Sequence, residues 1–386
     1  MTRLGDVCEK IGSGATPRGG KEAYKDAGIP IIRSQNIHDW VFQPDGLAFL
    51  DDEQAESLSN VEVRSNDVLL NITGDSVARA CIVPSERIPA RVNQHVAIVR
   101  AGKEINPTYL LAFLQSKKTT LLSLASSGAT RNALTKRMIE NLDIDLPSRE
   151  IQDSIAQVLD SIQYKITLNN RLNDYLLELA TVRFEQELAK ESKTYRFSEL
   201  IELEDSKRVP LNSRDRKVRK GSYPYYGATS IMDYVDDYLF DGIRVLLGED
   251  GTVIREDGKP VLQYVWGKYW VNNHAHILKS KVDYSLEAIY IALARTTINH
   301  IVTGAVQMKI SQKNLNDLEL EMPTASSLDY LEDIFALYRS NAEESKKLEI
   351  LRDVLLPKLL SGKIDVSKVD LTQLTNNHLA GYSDEF

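Results

Sequence analysis

The chain has 386 residues, of which 42% are apolar and 26% are charged, a composition typical of a soluble globular protein of two or more domains. Two cysteines exclude a disulfide framework and a four-cysteine zinc site. The formal net charge of −8 argues against a surface that binds polyanions everywhere, although a mean charge conceals local basic patches.

The N-terminus and the apolar runs bear on localisation. The opening residues MTRLGDVCEK have no apolar core of the kind found in a signal peptide. No apolar run approaches the roughly 18 residues that a membrane-spanning helix needs. We therefore expect a cytoplasmic protein with no membrane partner.

An internal repeat organises the chain. Residues 126–148, SSGATRNALTKRMIENLDIDLPS, align without a gap with residues 302–324, VTGAVQMKISQKNLNDLELEMPT, at an offset of 176. Upstream, VNQHVAIV at 92–99 aligns with VNNHAHIL at 271–278, at an offset of 179. The drift in offset predicts duplicated domains whose loops differ in length.

Each repeat combines strand and helix patterns. The runs NDVLLNITG at 66–74 and VNQHVAIVRA at 92–101 are typical of strands. The runs PTYLLAFLQS at 107–116 and SLEAIYIALAR at 285–295 have the periodicity of helices. These patterns predict an α/β (α+β) fold with two similar domains.

Two long helices follow the two repeats. Residues 149–191 contain no proline or glycine, and their apolar residues recur at steps of three and four, which predicts one helix about 64 Å long. A second helix is predicted to begin near Ser326 and to end at Pro357 and Gly362. We expect the helices to pair antiparallel and to hold the two domains apart; two unrelated core helices in one globule are the alternative. The predicted seam of this coiled coil consists of Ile155, Ile162, Leu172, Leu176, Leu331, Phe335, Leu348 and Leu355.

These patterns divide the chain into five segments. The two similar domains are predicted at 1–148 and 193–324, and the two long helices at 149–192 and 325–362. The polar segment 363–386 is predicted to be a flexible tail.

Catalytic and metal motifs are weak throughout. Asn106-Pro107-Thr108-Tyr109 approaches the motif of adenine methyltransferases, but an N-cap asparagine followed by a first-turn proline explains the same residues. The glycines between Gly12 and Gly20 do not have the spacing of a dinucleotide or phosphate loop. His274 and His276 are predicted to lie on one face of a strand in a structural role, since no cysteine or carboxylate partner is evident.

Charge is segregated between the domains and the helices. Residues 205–220 contain seven basic and two acidic residues, whereas residues 149–191 contain five basic and eight acidic ones. Basic domains joined by acidic helices favour nucleic acid at the domains and protein at the helices, although basic runs are also common in solvated loops. The candidate DNA-binding residues are Arg18, Lys21, Arg33, Arg79, Arg131, Lys136, Arg208, Arg214, Arg216, Lys217, Lys309 and Lys313.

Together these features resemble the specificity subunit of type I restriction–modification systems. The resemblance covers about residues 1–365 and is carried by the motifs at 13–37, 126–162, 220–252 and 351–364. One departure is that the second copy has Gly304-Ala305-Val306-Gln307 where the first has Gly-Ala-Thr-Arg, so the two domains should not contact the same bases.

The resemblance implies DNA recognition without catalysis. Each target-recognition domain would read one half of a split, asymmetric target in double-stranded DNA. The chain would bind no cofactor or metal itself; S-adenosylmethionine would be supplied by two modification subunits, and ATP and Mg²⁺ by restriction subunits where these are present. The alternatives are a stand-alone adenine methyltransferase with a degenerate motif, and a coiled-coil scaffold without sequence specificity.

Overall fold

The computed structural model describes residues 2–126, 132–304 and 307–366. These residues form two compact units. The first unit contains residues 2–168 and 344–366, and the second unit contains residues 169–343. Each unit therefore takes one half of each long helix, a division that differs from the five consecutive segments predicted from the sequence.

Helices of very different lengths alternate with short strands along the chain. Their bounds are α1 Leu4–Val7, α2 Asp52–Ser57, α3 Pro107–Ser116, α4 Lys118–Ser126, α5 Lys136–Glu140, α6 Arg149–Lys190, α7 Phe197–Leu200, α8 Ser213–Val218, α9 Leu286–Arg295, α10 Gln312–Asn316 and α11 Tyr330–Leu360.

The first unit contains two four-stranded sheets and one strand pair. Its strands are β1 Thr2–Arg3, β2 Cys8–Ser13, β3 Ile29–Ile32, β4 Ala48–Leu50, β5 Glu62–Val63, β6 Val68–Asn71, β7 Ala80–Ile82, β8 Ala90–Val92, β9 Val96–Ala101 and β10 Asp143–Ile144. The sheet orders are β2-β9-β6-β7 and β4-β3-β8-β5, and β1 pairs with β10. Only the β3–β8 pairing is parallel among these described strands.

The second unit repeats this topology and has one further strand pair, β20 with β21, among the described residues. Its strands are β11 Ser192–Arg196, β12 Ile201–Leu203, β13 Lys220–Tyr226, β14 Ile231–Val235, β15 Phe240–Asp241, β16 Arg244–Gly248, β17 Leu262–Val265, β18 Lys268–Val271, β19 Ala275–Ser280, β20 Val302–Thr303, β21 Lys309–Ile310 and β22 Glu319–Pro323. The orders β12-β19-β16-β17, β14-β13-β18-β15 and β11-β22 match those of the first unit, and β13 and β18 are parallel as β3 and β8 are. The predicted mixed class and the duplicated domain are confirmed.

The two helices pack against each other within each unit. In the first unit, Ile155 and Ile162 of α6 share a core with Leu356 and Leu359 of α11. In the second unit, Phe184 of α6 shares a core with residues of α11 that include Leu331 and Phe335.

Hydrogen bonds from asparagines show the direction of the helix pairing in the second unit. The Asn169 side chain donates to the carbonyl of Asn341 at 3.4 Å, and the Asn173 side chain, one turn later, donates to the carbonyl of Tyr338 at 3.1 Å. Because the partner residue number falls as the α6 number rises, the helices run antiparallel. The Asn341 amide also donates to Asn173 Oδ1 at 3.0 Å, so these polar side chains are paired with each other.

The predicted seam is wrong at Leu172. This leucine is 41% exposed, whereas the adjacent Asn169 and Asn173 are buried in the helix contact. Of the other predicted seam residues, Ile155, Ile162, Leu331 and Phe335 are buried, while Leu176, Leu348 and Leu355 are half-buried against the cores. An asparagine can occupy a buried helix contact when its amide is hydrogen-bonded, which a search for apolar spacing does not detect.

The bounds of α11 also differ from the prediction. A 3₁₀ turn at Ala325–Leu328 precedes it, and the helix begins at Tyr330. Pro357 lies inside α11 and does not end it; the Pro357 carbonyl accepts the Ser361 amide at 3.2 Å. Gly362, at a φ of +67°, follows the last helical residue and permits the left-handed turn. The predicted flexible tail lies mostly outside the described residues.

Candidate nucleic-acid interface

In each unit a three-residue turn carries the chain from one four-stranded sheet to the other. The first turn, Asn93–His95, joins β8 to β9, and the second, Asn272–His274, joins β18 to β19. The Asn93 side chain accepts the His95 amide at 3.1 Å, and the Asn272 side chain accepts the His274 amide at 2.8 Å. An asparagine that accepts the amide two residues later stabilises such a turn, so the two turns have the same local cause.

This arrangement corrects the predicted strands. The run 92–101 is not one strand, because Val92 ends β8 in one sheet and Val96 begins β9 in the other. In the second unit His274 precedes β19, whereas His276 lies within it. The two histidines therefore have different surroundings, although the alternation predicted one face.

A second loop packs beside each turn. The Ile72 amide donates to the His95 carbonyl at 2.9 Å, and the Glu249 amide donates to the His274 carbonyl at 2.8 Å. The next residue in each loop contacts the histidine ring: Thr73 Oγ1 lies 2.6 Å from His95 Nδ1, and the Asp250 carboxylate bonds His274 Nδ1.

In each unit a third segment packs against the turn and the neighbouring loop. The Leu134 amide donates to the Ile72 carbonyl at 2.8 Å, and the Ile310 amide donates to the Glu249 carbonyl at 2.9 Å. Thr73 is bridged to Ala133, and Asp250 to Lys309. We call residues 71–79, 93–95 and 132–134 the first loop cluster, and residues 248–253, 272–274 and 307–310 the second loop cluster.

A buried ion network lies beneath the second loop cluster. His276 is fully buried, with Nδ1 2.6 Å from Asp205 Oδ2 and Nε2 2.9 Å from the Ile310 carbonyl. Because both ring nitrogens face acceptors, both carry a proton and the ring is an imidazolium. Arg208 Nη1 donates to Glu249 Oε2 at 2.6 Å, so two cations face two carboxylates.

The same network shows how Asp205 stays ionised. Burial opposes the charge on this carboxyl, but hydrogen bonds from His276, the Ile277 amide and Gln312 and the charge of His276 outweigh burial and lower its pKa. Asp205, Glu249 and His276 hold ligand atoms within 4.8 Å of one another, as a metal site would. The imidazolium and the Arg208 guanidinium already supply the positive charge there, so these residues form an ion network within the protein.

Comparisons with known proteins give the family. Residues 1–178 and 189–349 match the family described as "Type I restriction modification DNA specificity domain". The chain is 30% identical over 128 residues to a candidate type I restriction enzyme specificity subunit of Haemophilus influenzae, an alignment that covers 33% of this chain and 32% of that protein. It is 22% identical over 403 residues to the candidate MjaX specificity subunit of Methanocaldococcus jannaschii, covering 95% and 93%. The crystal structure of a type I restriction-modification S subunit from M. genitalium has a TM-score of 0.51 at 14% identity, covering 92% of this chain and 94% of that one.

The chain belongs to the type I DNA specificity family. The two family matches cover the two repeats, and the solved S subunit has the same fold. The duplicated loop clusters are thus the equivalent parts of two DNA specificity domains within one chain.

Five of the predicted DNA-binding residues of this specificity-family chain carry uncompensated charge. Their side chains have no hydrogen bond or ion pair with another described residue, and all but the half-buried Arg79 are exposed; they are Arg18, Arg79, Arg214, Lys217 and Lys313. Lys136 and Lys309 are exposed and form single ion pairs, with Glu140 and Glu249, at 3.5 and 3.4 Å. Arg131 and the side chain of Lys21 lie outside the described residues.

Three predicted arginines are engaged within the protein. Arg208 is only 13% exposed and bonds Glu249 and the Ala275 carbonyl, the latter at 2.7 Å. Arg216 donates to the Leu211 carbonyl at 2.7 Å and lies 5.4 Å from the centre of the Tyr225 ring.

Arg33 is held in a similar way. Its guanidinium donates to the Gly46 carbonyl at 2.6 Å and lies 5.5 Å from the centre of the Tyr24 ring. Arg208 and Arg216 are therefore engaged by neighbouring groups of the protein, and Arg33 has only part of its guanidinium available. Their assignment as DNA contacts stays a prediction.

The polar residues of the two turns and of the loops beside them were not among the predicted DNA-binding residues. They are Gln94 and His95 of the first turn and His274 of the second, with Thr73 and Asp250 of the neighbouring loops. A signal was present, because the aligned VNQH and VNNH segments and the aligned Thr73 and Asp250 mark equivalent positions.

Asn106 has the role that its sequence context predicts. Its Oδ1 accepts the amides of Thr108 and Tyr109 at 2.8 and 3.1 Å, and Pro107 occupies the first turn of α3. Its side-chain amide donates to Asp153 of α6 at 2.7 Å.

Among the described residues, no helix is both long and apolar enough to cross a bilayer.

Proposed function

We propose that this chain is the DNA-recognition subunit of a type I restriction–modification complex, in which each unit reads one half of a split, asymmetric target. The observation that carries the proposal is the pair of loop clusters, which share one backbone framework but present different side chains. A shared framework with different polar groups suits two domains that recognise different bases on the same kind of double helix.

The chemistry of the complex is assigned to its partners. Under this proposal the chain is not an enzyme; modification subunits bind S-adenosylmethionine and methylate adenines, and restriction subunits use ATP and Mg²⁺. Methylation mapping of a host that expresses this chain with its modification subunit tests the proposal. A split motif with methylated adenines on both strands is expected. Methylation by the purified chain alone, or binding that ignores sequence, would contradict it.

Recruitment of the modification subunits is assigned to the helices. Besides the buried contacts, α6 has exposed apolar side chains at Leu172, Tyr175, Leu179 and Val182 in the second unit, 41–65% exposed and spaced by three, four and three residues. We call these four residues the exposed stripe. An exposed apolar row on one helix face suits a partner helix that packs along it, and we propose two modification subunits per chain, one for each repeat.

Charged residues in the exposed stripe should prevent this recruitment. We expect the double substitution Tyr175→Glu and Leu179→Glu to lower the capture of modification subunits from two per chain to about one, because burying unpaired carboxylates is costly and the exposed stripe lies in the second unit alone. Capture by the tagged chain and the melting temperature are measured together. Asn170→Glu, exposed on another face of α6, is the matched control and should bind normally. Normal capture by the double variant would exclude the exposed stripe as the partner surface.

Removal of the uncompensated cations of α8 should weaken binding to all DNA sequences alike. For Arg214→Ala with Lys217→Ala we expect the magnitude of the salt slope, d log K/d log[salt], to fall by about 0.9 for each DNA phosphate that the variant no longer neutralises. Affinity of the assembled complex is measured over a range of salt concentrations. Lys346→Ala with Lys347→Ala makes the same charge change on α11, at exposed residues, and should leave the slope unchanged. An unaltered slope in the α8 variant would place α8 away from DNA.

A further inference from the structure

We infer that the side-chain pairs Thr73–His95 and Asp250–His274 are the specificity-determining groups of the two units, with the Asp250 carboxylate accepting a hydrogen from the exocyclic amino group of a base. This inference rests on the proposed function and names residues that would read bases within it. The base chemistry is that of cytosine N4 in the major groove, the group that acidic side chains accept from.

The two pairs occupy the same place in two equivalent frameworks. Each histidine is the last residue of a turn in which an asparagine accepts its amide. Each partner residue comes directly after the residue whose amide donates to the histidine carbonyl. Within this shared framework, the residue facing the ring changes from a threonine to an aspartate. The two pairs therefore differ in the hydrogen-bonding groups that they present and not in their backbone framework. Two domains that read different bases need different hydrogen-bonding groups.

The first pair offers a hydroxyl to a ligand. Gln94 Nε2 donates to His95 Nε2 at 3.0 Å, so the ring proton is on Nδ1 and is donated to Thr73 Oγ1 at 2.6 Å. The Thr73 hydroxyl keeps its own hydrogen and a lone pair. It can serve as a donor or an acceptor to a base edge.

The second pair offers an acceptor. The Asp250 carboxylate uses one oxygen to bind His274 Nδ1, and its second oxygen remains to accept another hydrogen. A bare carboxylate would be repelled by DNA phosphates. The donor groups of His274 and the nearby Lys309, which pairs with Glu249, offset that repulsion.

Exposure separates these pairs from structural histidine contacts. The side chains of His274 and Asp250 are 44% and 20% exposed, and Thr73 and His95 are half-buried. His276, only two residues after His274, is fully buried and has both ring nitrogens bonded within the protein. A pair needed only for folding would be enclosed as His276 is, whereas these pairs are open to a ligand.

Replacement of Asp250 tests the inference. The chain is expressed with its modification subunits in a host that lacks their methylation, and the methylated motif is read from the genome. Asp250→Asn turns an acceptor into a group that also donates, so we expect one position in one half of the motif to change or relax. Discrimination there, measured as relative methylation rates on two duplexes, should fall roughly fivefold or more. The other half of the motif should be unaltered.

Two further variants make the result decisive. Glu202→Gln makes the same chemical change at an exposed carboxylate beside the opposite end of β19, where it pairs with Lys279, and should leave the motif unchanged. Asp250→Thr gives the second unit the pair found in the first, and it should also alter that single position.

Each contrary outcome has a separate meaning. A split wild-type motif that neither Asp250 variant changes would overturn this inference alone. A fall in melting temperature of more than about 5 °C in both Asp250 variants would show that the pair is structural and would overturn it as well. A wild-type complex that methylates no split motif would contradict the proposed function and this inference together.

Discussion

Asp205→Ala is expected to lower the free energy of unfolding of the second unit by about 3–5 kcal/mol, because it leaves a buried imidazolium without its main counter-charge. Asp205 accepts hydrogen bonds from His276 at 2.6 Å, Gln312 at 2.6 Å and the Ile277 amide at 2.9 Å. After the substitution Glu249, 3.8 Å from the ring, is the nearest remaining carboxylate. Urea unfolding gives the change in free energy.

Asp317→Ala is the matched control for this prediction. Asp317 is an exposed residue at the end of α10 in the same unit, and its loss should change stability by no more than about 0.5 kcal/mol. Equal effects of the two substitutions would show that the network beneath the second loop cluster contributes little.

The effect of Asp205 should also depend on pH. Its pKa in the folded protein is lowered, so the carboxylate contributes stability that is present above the unfolded-state pKa of about 3.9. That contribution is lost as the pH falls through the folded-state value. The difference between wild type and Asp205→Ala should therefore be constant from pH 7 to about pH 5 and should shrink below about pH 4. A difference that grows on acidification would contradict the assignment.

Phe335→Ala is expected to cost about 3–5 kcal/mol, because it removes a fully buried ring where α11 meets the core of the second unit. The Phe335 ring lies 4.9 Å from that of Tyr264 on β17 and 5.8 Å from that of Tyr290 on α9, in edge-to-face contacts. Truncation to alanine removes both ring pairs together with the buried apolar area and the packing volume of the side chain.

Leu337→Ala provides the control on the same helix. Leu337 is 51% exposed, so its truncation should cost less than about 0.5 kcal/mol in urea unfolding. Phe335→Ala should also reduce the amount of active complex without changing the methylated motif, in contrast to Asp250→Asn. A changed motif in Phe335→Ala, or equal costs for the two residues, would contradict this account of the helix contact.

The sequence predicted the duplicated domains from aligned segments about 176 residues apart, and it predicted the two long helices and the cap at Asn106 from local spacing. A repeat is visible when two runs of residues are compared, and helices and caps depend on near neighbours in the chain, so none of these features needs the fold to be recognised. Residues 132–148 and 307–324 of the repeated segments, which the structure describes, belong to two units with the same sheet orders.

The inner face of α6 could not be predicted in the same way. This helix has two apolar rows, one through Leu176 and Phe184 and the other through Leu172 and Leu179, and only the first is packed in the second unit. Helical periodicity identifies both rows but does not distinguish them, because the partner helix decides which one is buried. The asparagines in the contact add to the difficulty, since their burial depends on hydrogen bonds to α11.

The free and the engaged basic residues were separated only by tertiary structure. Arg208 and Arg214 lie six residues apart in one basic run, yet Arg208 bonds Glu249 and Ala275, 41 and 67 residues away, while Arg214 is exposed. The histidine pairs depend in the same way on the crossing between two sheets. The sequence by itself determined the kind of domain and its duplication, whereas long-range pairing decided which side chains face outward, because hydrogen bonds between distant residues saturate some charges and leave others free.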